Sequence, residues 1–169
     1  MKESIAQSFI ISLILFFFGI LLLLLFGSIN YSKAFKAKNR IVSIIEKYGS
    51  YPYKDDEKYD ENVLKKVVNE IDENLAKGGY QTVLEKKYTE DKCADFVKKL
   101  GNATLVFPSE DNHGTGGRRY DYCVIRVNSS SLGNYYQVVT FMQFNVPVVG
   151  DILRFPVKGE TKVLYETIK

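Results

Sequence analysis

Histidine occurs once in these 169 residues, cysteine twice, proline four times and tryptophan not at all. One histidine leaves no HExxH helix and no paired Cys/His spacing, so the common zinc and metalloprotease patterns are excluded. No nucleophile elbow or Walker-type lysine loop is present either. Hydrophobic residues make up 46% and charged residues 25%, near globular averages, which excludes a disordered or collagen-like chain. No internal repeat or low-complexity tract is visible. The most local absence is charge: Phe9 to Gly27 is a run of 19 residues without an ionisable side chain, broken only by Ser12, Gly19 and Gly27.

Extended to Ile5–Ile29, that run reaches 25 residues. A signal-peptide core takes about 7–15 apolar residues and a membrane-spanning helix about 20. The start is also poor in the positive charge a signal peptide carries, because Glu3 offsets Lys2. An uncleaved anchor over residues 1–30 is therefore expected, lying in a lipid bilayer.

Charge is unevenly placed. Residues 31–48 hold five basic side chains and one acidic, Glu46, whereas residues 49–169 hold 17 basic and 18 acidic. The excess behind the net +3 is thus a collar beside the span, where each basic residue near anionic lipid contributes about 1 kcal/mol. The remainder has no basic stripe, so no nucleic-acid partner is expected. Taken alone, Lys33, Lys36, Lys38 and Arg40 would keep the larger C-terminal part in the cytoplasm by the positive-inside rule. They also belong to a helix and have other contacts open to them.

Helical periodicity continues through residues 31–49, with Tyr31, Ala34, Phe35, Ile41, Val42, Ile45 and Tyr48 on one side. Gly49 supplies a left-handed C-cap and Pro52 prevents the helix from resuming. A single helix from Ile5 to Tyr48, about 66 Å long, is expected. Beyond it, residues 50–169 form the head. Asp60 reads as an N-cap. Val63, Leu64, Val67, Val68, Ile71 and Leu75 make an apolar stripe ended by Gly78-Gly79. A further helix is expected over Thr89–Leu100, with Cys93, Phe96, Val97 and Leu100 inward and Gly101 as its stop.

The period then changes to that of strands. Tyr120–Val127 and Tyr135–Phe144 are rich in aromatic and β-branched residues and read as a hairpin. Arg154–Val157 and Thr161–Tyr165 read as a second pair turned at Lys158-Gly159-Glu160, with Ala103–Phe107 as an edge. The fold class is α+β: a long N-terminal helix, then a small head of two helices and a three- to five-stranded antiparallel sheet.

Three clusters invite a chemical role and each has a plainer reading. His113 stands in the loop Ser109–Gly117 with no partner ligands in sequence. Gly114–Gly117 before Arg118-Arg119 could form an anion-binding nest, yet lacks a strand-turn-helix context. Asp55-Asp56-Glu57 lacks the alternating ligand positions and central glycine of a calcium loop. Loop histidine, flexible connection and solvated charge run are the readings taken, so no catalytic, cofactor or metal residue is assigned. No small-molecule substrate is evident. Cys93 and Cys123 form a disulfide closing about 30 residues if the head is exported, and remain buried thiols if it is cytoplasmic.

One stretch resembles a known family. Leu21–Leu25, then Phe26-Gly27, a short spacer, and Lys33-Ala34-Phe35 is similar to the signature of TadE-like pseudopilins of the tight-adherence (Flp) pilus system. Ala37–Arg40 continues the likeness, as do Val138–Phe144, Pro147, Gly150 and Lys162–Tyr165 near the end. The resemblance implies a pilin-like fold, no enzymatic activity, and partners that are other pilin-like subunits or pilus-assembly proteins. It also implies a single-pass protein of the cell membrane with an extracytoplasmic head. The chain departs from the related pilin pattern in one respect: no glycine precedes the apolar run and Glu3 lies outside it, so cleavage by a prepilin peptidase is not expected. The alternative is a membrane-tethered extracytoplasmic binding module outside any pilus system.

Overall fold

The computed structural model describes residues 2–51, 60–80, 86–107, 120–129, 133–144 and 153–162. Helix α1 runs unbroken from Lys2 to Tyr48, and a glycine at φ +75°, Gly49, ends it. That backbone conformation strains any side chain bearing a Cβ, which is why glycine stands there. Helix α2 spans Glu61–Lys77 and opens with the Asp60 carboxylate accepting from the Asn62 N–H at 2.8 Å. Its buried face is Leu64, Val67, Val68, Ile71 and Leu75, the expected stripe. Helix α3 spans Lys86–Leu100, one turn longer at its start than the apolar pattern indicates.

Four strands follow: β1 (Ala103–Phe107), β2 (Tyr122–Ser129), β3 (Gly133–Phe144) and β4 (Leu153–Glu160). They form one antiparallel sheet in the order β1-β2-β3-β4. The architecture is α+β, as the sequence indicates. Side-chain alternation divides the core in two. Tyr122, Val124, Tyr136, Val138 and Val157 belong to the core that α1 and α2 cover. Cys123, Ile125, Val127, Val139 and Phe141 belong to the one beneath α3.

Two expectations need correction. Lys158-Gly159-Glu160 is not a turn; all three residues lie in β4, opposite Val139, Val138 and Gln137. Glycine here marks a close approach rather than a reversal, because a Cβ on Gly159 would fall 2.5 Å from Cδ of Lys38. Thr161 and Lys162 are not in a strand, and 163–165 lie outside the described residues. Second, Tyr31 and Phe35 do not sit on the packed side of α1. Both are exposed, and the buried set is Ala34, Ala37, Ile41, Ile44 and Ile45. Two alanines, not a phenylalanine, stand where the helix first meets the sheet, because only small side chains let the two backbones come close.

Candidate functional site

The features the structure sets apart are α1 and its junction with the head. From Phe9 to Ile29 the large apolar side chains of α1 are exposed, with no protein against them. This helix is long and apolar enough to cross a membrane.

Above that stretch the head is fastened to the helix by polar contacts in register. Thr140, buried on β3, donates its hydroxyl to the Ala34 carbonyl at 2.9 Å, with the Val157 carbonyl at 3.4 Å as a second acceptor. Lys38 lays its aliphatic stem over Gly159 and brings Nζ to 4.2 Å from the centre of the Phe35 ring. Arg40 donates to the Asn74 carbonyl near the end of α2 at 2.8 Å. Glu70 on α2 receives both Lys47 and the Tyr48 hydroxyl, each at 2.8 Å. Those two hydrogen bonds, Lys47 first, hold the Glu70 carboxyl below its usual range, while the same carboxylate raises Lys47 and Tyr48. Glu46 accepts from the Lys162 backbone N–H at 2.8 Å.

The residues of the family-like signature separate in this setting. Phe26, Lys33 and Phe35 are exposed, Gly27 is half-buried, and Ala34 alone is fully buried. On the opposite face of the sheet, Cys93 of α3 and Cys123 of β2 form a disulfide across a Cα separation of 5.9 Å, both buried. His113, Asp55-Asp56-Glu57 and Gly114–Arg119 lie outside the described residues. Among the described residues no group of three or more His, Cys, Asp or Glu side chains is placed to hold a metal ion.

Two buried polar features have no signature in the sequence. Tyr80, just past α2, donates its hydroxyl to the Asp121 carbonyl at 2.6 Å and accepts from the Phe141 N–H at 2.8 Å, tying the residue before β2 to β3. Burial pushes its phenol well up. The second is the trio Tyr51, Tyr122 and Asp72. The two hydroxyls and Asp72 Oδ2 have no well-directed hydrogen bond, and the Asp72 carboxylate adds to the rise of both phenols. Burial raises both phenols and lifts the Asp72 carboxyl from 3.8 to about 6. Phe107 stacks on Tyr122 at 4.4 Å between ring centroids and closes one side of this group.

No family model, curated protein or solved structure matches this chain. The functional reading therefore rests on the helix and its junction. Ala34 and Ala37 set the approach, Thr140 and Glu46 fix the axial position, and Lys38 and Arg40 are engaged with the head. Sequence patterning identified the helix. It missed Thr140 and Tyr80, since a single hydroxyl on a strand or loop carries no periodic signal.

Proposed function

We propose that this chain is a single-pass membrane subunit of a pilus or secretion apparatus, a TadE-like pseudopilin that acts by contact and not by catalysis. The observation that carries this reading is one unbroken helix whose lower half is apolar on all sides and whose upper half is built into an α+β head. Such a helix offers its lower half to lipid or to neighbouring apolar helices, while the head meets partner proteins. The resemblance around Phe26-Gly27 and Lys33-Ala34-Phe35 supports the same assignment.

The head is extracytoplasmic in this proposal. The Cys93–Cys123 disulfide supports an oxidising compartment. The basic collar favours the opposite side, but two of its four members near the span, Lys38 and Arg40, already serve the packing of helix on head.

Both disulfide cysteines are buried, so a topology probe needs an added surface thiol; K66C on the exposed side of α2 supplies one. Intact cells should label K66C with a membrane-impermeant maleimide, and a photo-crosslinker at Leu24 should capture other pilin-like subunits. Labelling only after the cells are opened would end the proposal. Surface labelling with no helix partner captured would leave the tethered binding module in its place.

A further inference from the structure

Three contacts show that α1 and β4 run side by side in the same direction. Thr140 bridges Ala34 to Val157, Lys38 lies on Gly159, and Glu46 holds the N–H of Lys162. The spacings agree: from Ala34 to Lys38 a helix rises about 6 Å and from Val157 to Gly159 a strand rises about 7 Å. Phe155 lies two residues before Val157 on the same face of the sheet, about 7 Å nearer the span. Seven ångströms down α1 from Ala34 is about five residues, which reaches Ile29. Phe155 is thus level with the end of the apolar run.

Phe155 is also the one large apolar side chain beyond Gly49 that is left exposed among the described residues, at 48%. Its neighbour Arg154 carries a charge but is buried against Asp121 at 3.5 Å, so this end of β4 hides its ionic pair. Around the helix at nearby heights stand Tyr31 and Phe35, 51% and 41% exposed and stacked at 6.1 Å. Lys33 and Lys36 project from the same turns, exposed. Exposed aromatics with lysines just beyond an apolar span match the interfacial layer of a bilayer, where ring bodies sit among headgroups and ammonium groups meet lipid phosphate.

We propose that the start of β4, through Phe155, is a second membrane contact. The head rests on an anionic lipid surface, with Phe155 inserted at headgroup depth and Lys33 and Lys36 on the phosphates. This rests on the reading of α1 as a membrane span. The occupant is lipid and not protein because the patch continues the apolar span at the same height and, among the described residues, the exposed charges on the adjoining turns of α1, Lys33 and Lys36, are positive.

The chain has no tryptophan, so single-tryptophan variants report cleanly. The full chain is reconstituted in phosphatidylcholine vesicles with and without phosphatidylglycerol, carrying lipids spin-labelled at the headgroup, shallow or deep in the acyl chain. F17W should be quenched by the deep label, which tests the span. F155W should emit at shorter wavelength than in water and be quenched by headgroup and shallow labels, more strongly with phosphatidylglycerol. Replacing Lys33 or Lys36 by Ala in the F155W chain should lower the ratio of seated to lifted heads about fivefold each.

F155W emitting as in water, with F17W quenched, would overturn the second contact and leave the span standing. F17W unquenched would overturn both. Should F155W disturb β4, hydrogen–deuterium exchange of the unaltered chain gives the same answer. Amides of residues 153–157 should exchange more slowly on vesicles containing phosphatidylglycerol than on phosphatidylcholine alone, and equal rates would overturn the proposal.

Discussion

Below Asn30, α1 turns Leu, Ile and Phe outward on every side; above it, the same helix hides Ala34, Ala37, Ile41, Ile44 and Ile45 and turns Lys36, Asn39 and Lys47 to solvent. The backbone is continuous and the hydrogen-bonding scheme is the same. What differs is the medium each half is written for. Where lipid surrounds a helix, apolar side chains on all sides are the stable choice. Where a sheet covers one side, apolar residues collapse to a stripe and the exposed remainder becomes polar. A side chain's value in this molecule is therefore set by its height along α1 as much as by its type.

That comparison can be broken most directly with matched truncations. Ile45 is fully buried and Leu24 fully in the exposed half. Ile45→Ala should destabilise the head by about 2–5 kcal/mol. Leu24→Ala should leave the head's unfolding midpoint in detergent unchanged. Equal losses on chemical denaturation, followed by near-ultraviolet circular dichroism, would show that both halves are packed alike.

A finer test addresses the junction. Gly159→Ala would press a methyl onto the flexible stem of Lys38 and should cost about 1 kcal/mol, the low end of the range for overpacking. In a Lys38→Ala background the same change should be nearly neutral, because the space is vacated. A double-mutant cycle without coupling would mean that the lysine stem yields freely.

The smallest effect expected is graded by pH. Burial lifts the Asp72 carboxyl from 3.8 to about 6, so between those values the unfolded chain releases the proton while the folded chain keeps it. Stability consequently falls as pH rises through that window, and the penalty is complete above about 6. Asp72→Asn should raise the thermal midpoint above that pH, and the gain should shrink as the pH is lowered toward 4. A gain independent of pH would place the cause elsewhere.

The sequence was most legible where a pattern repeats. The stripe Leu64, Val67, Val68, Ile71 and Leu75 on α2, the stops at Gly49 and Gly101, and the strands rich in aromatic and β-branched residues are all visible without coordinates. The phase of α1 was not. Its lower half is apolar all round and carries no directional signal, so Tyr31 and Phe35 read as inward by continuity, although both face outward. Gly159 misled for a related reason: a glycine between Lys and Glu looks like a turn until the side chain that crosses it is known. The Asp72, Tyr51 and Tyr122 group was illegible because its members are distant in the chain and meet only once α2 is laid against the sheet.

One consequence follows from the absence of any break in α1 between the span and Thr140's hydrogen bond to Ala34. The helix is a shaft without a universal joint. One residue added between Asn30 and Lys33 would turn the head by about 100° and lift it by about 1.5 Å. The compass bearing of β4, of α3 and of the disulfide is thereby keyed to whichever side of the shaft bears Gly19. If a neighbour were to grip the shaft, it would thereby set which side of the head is turned toward it.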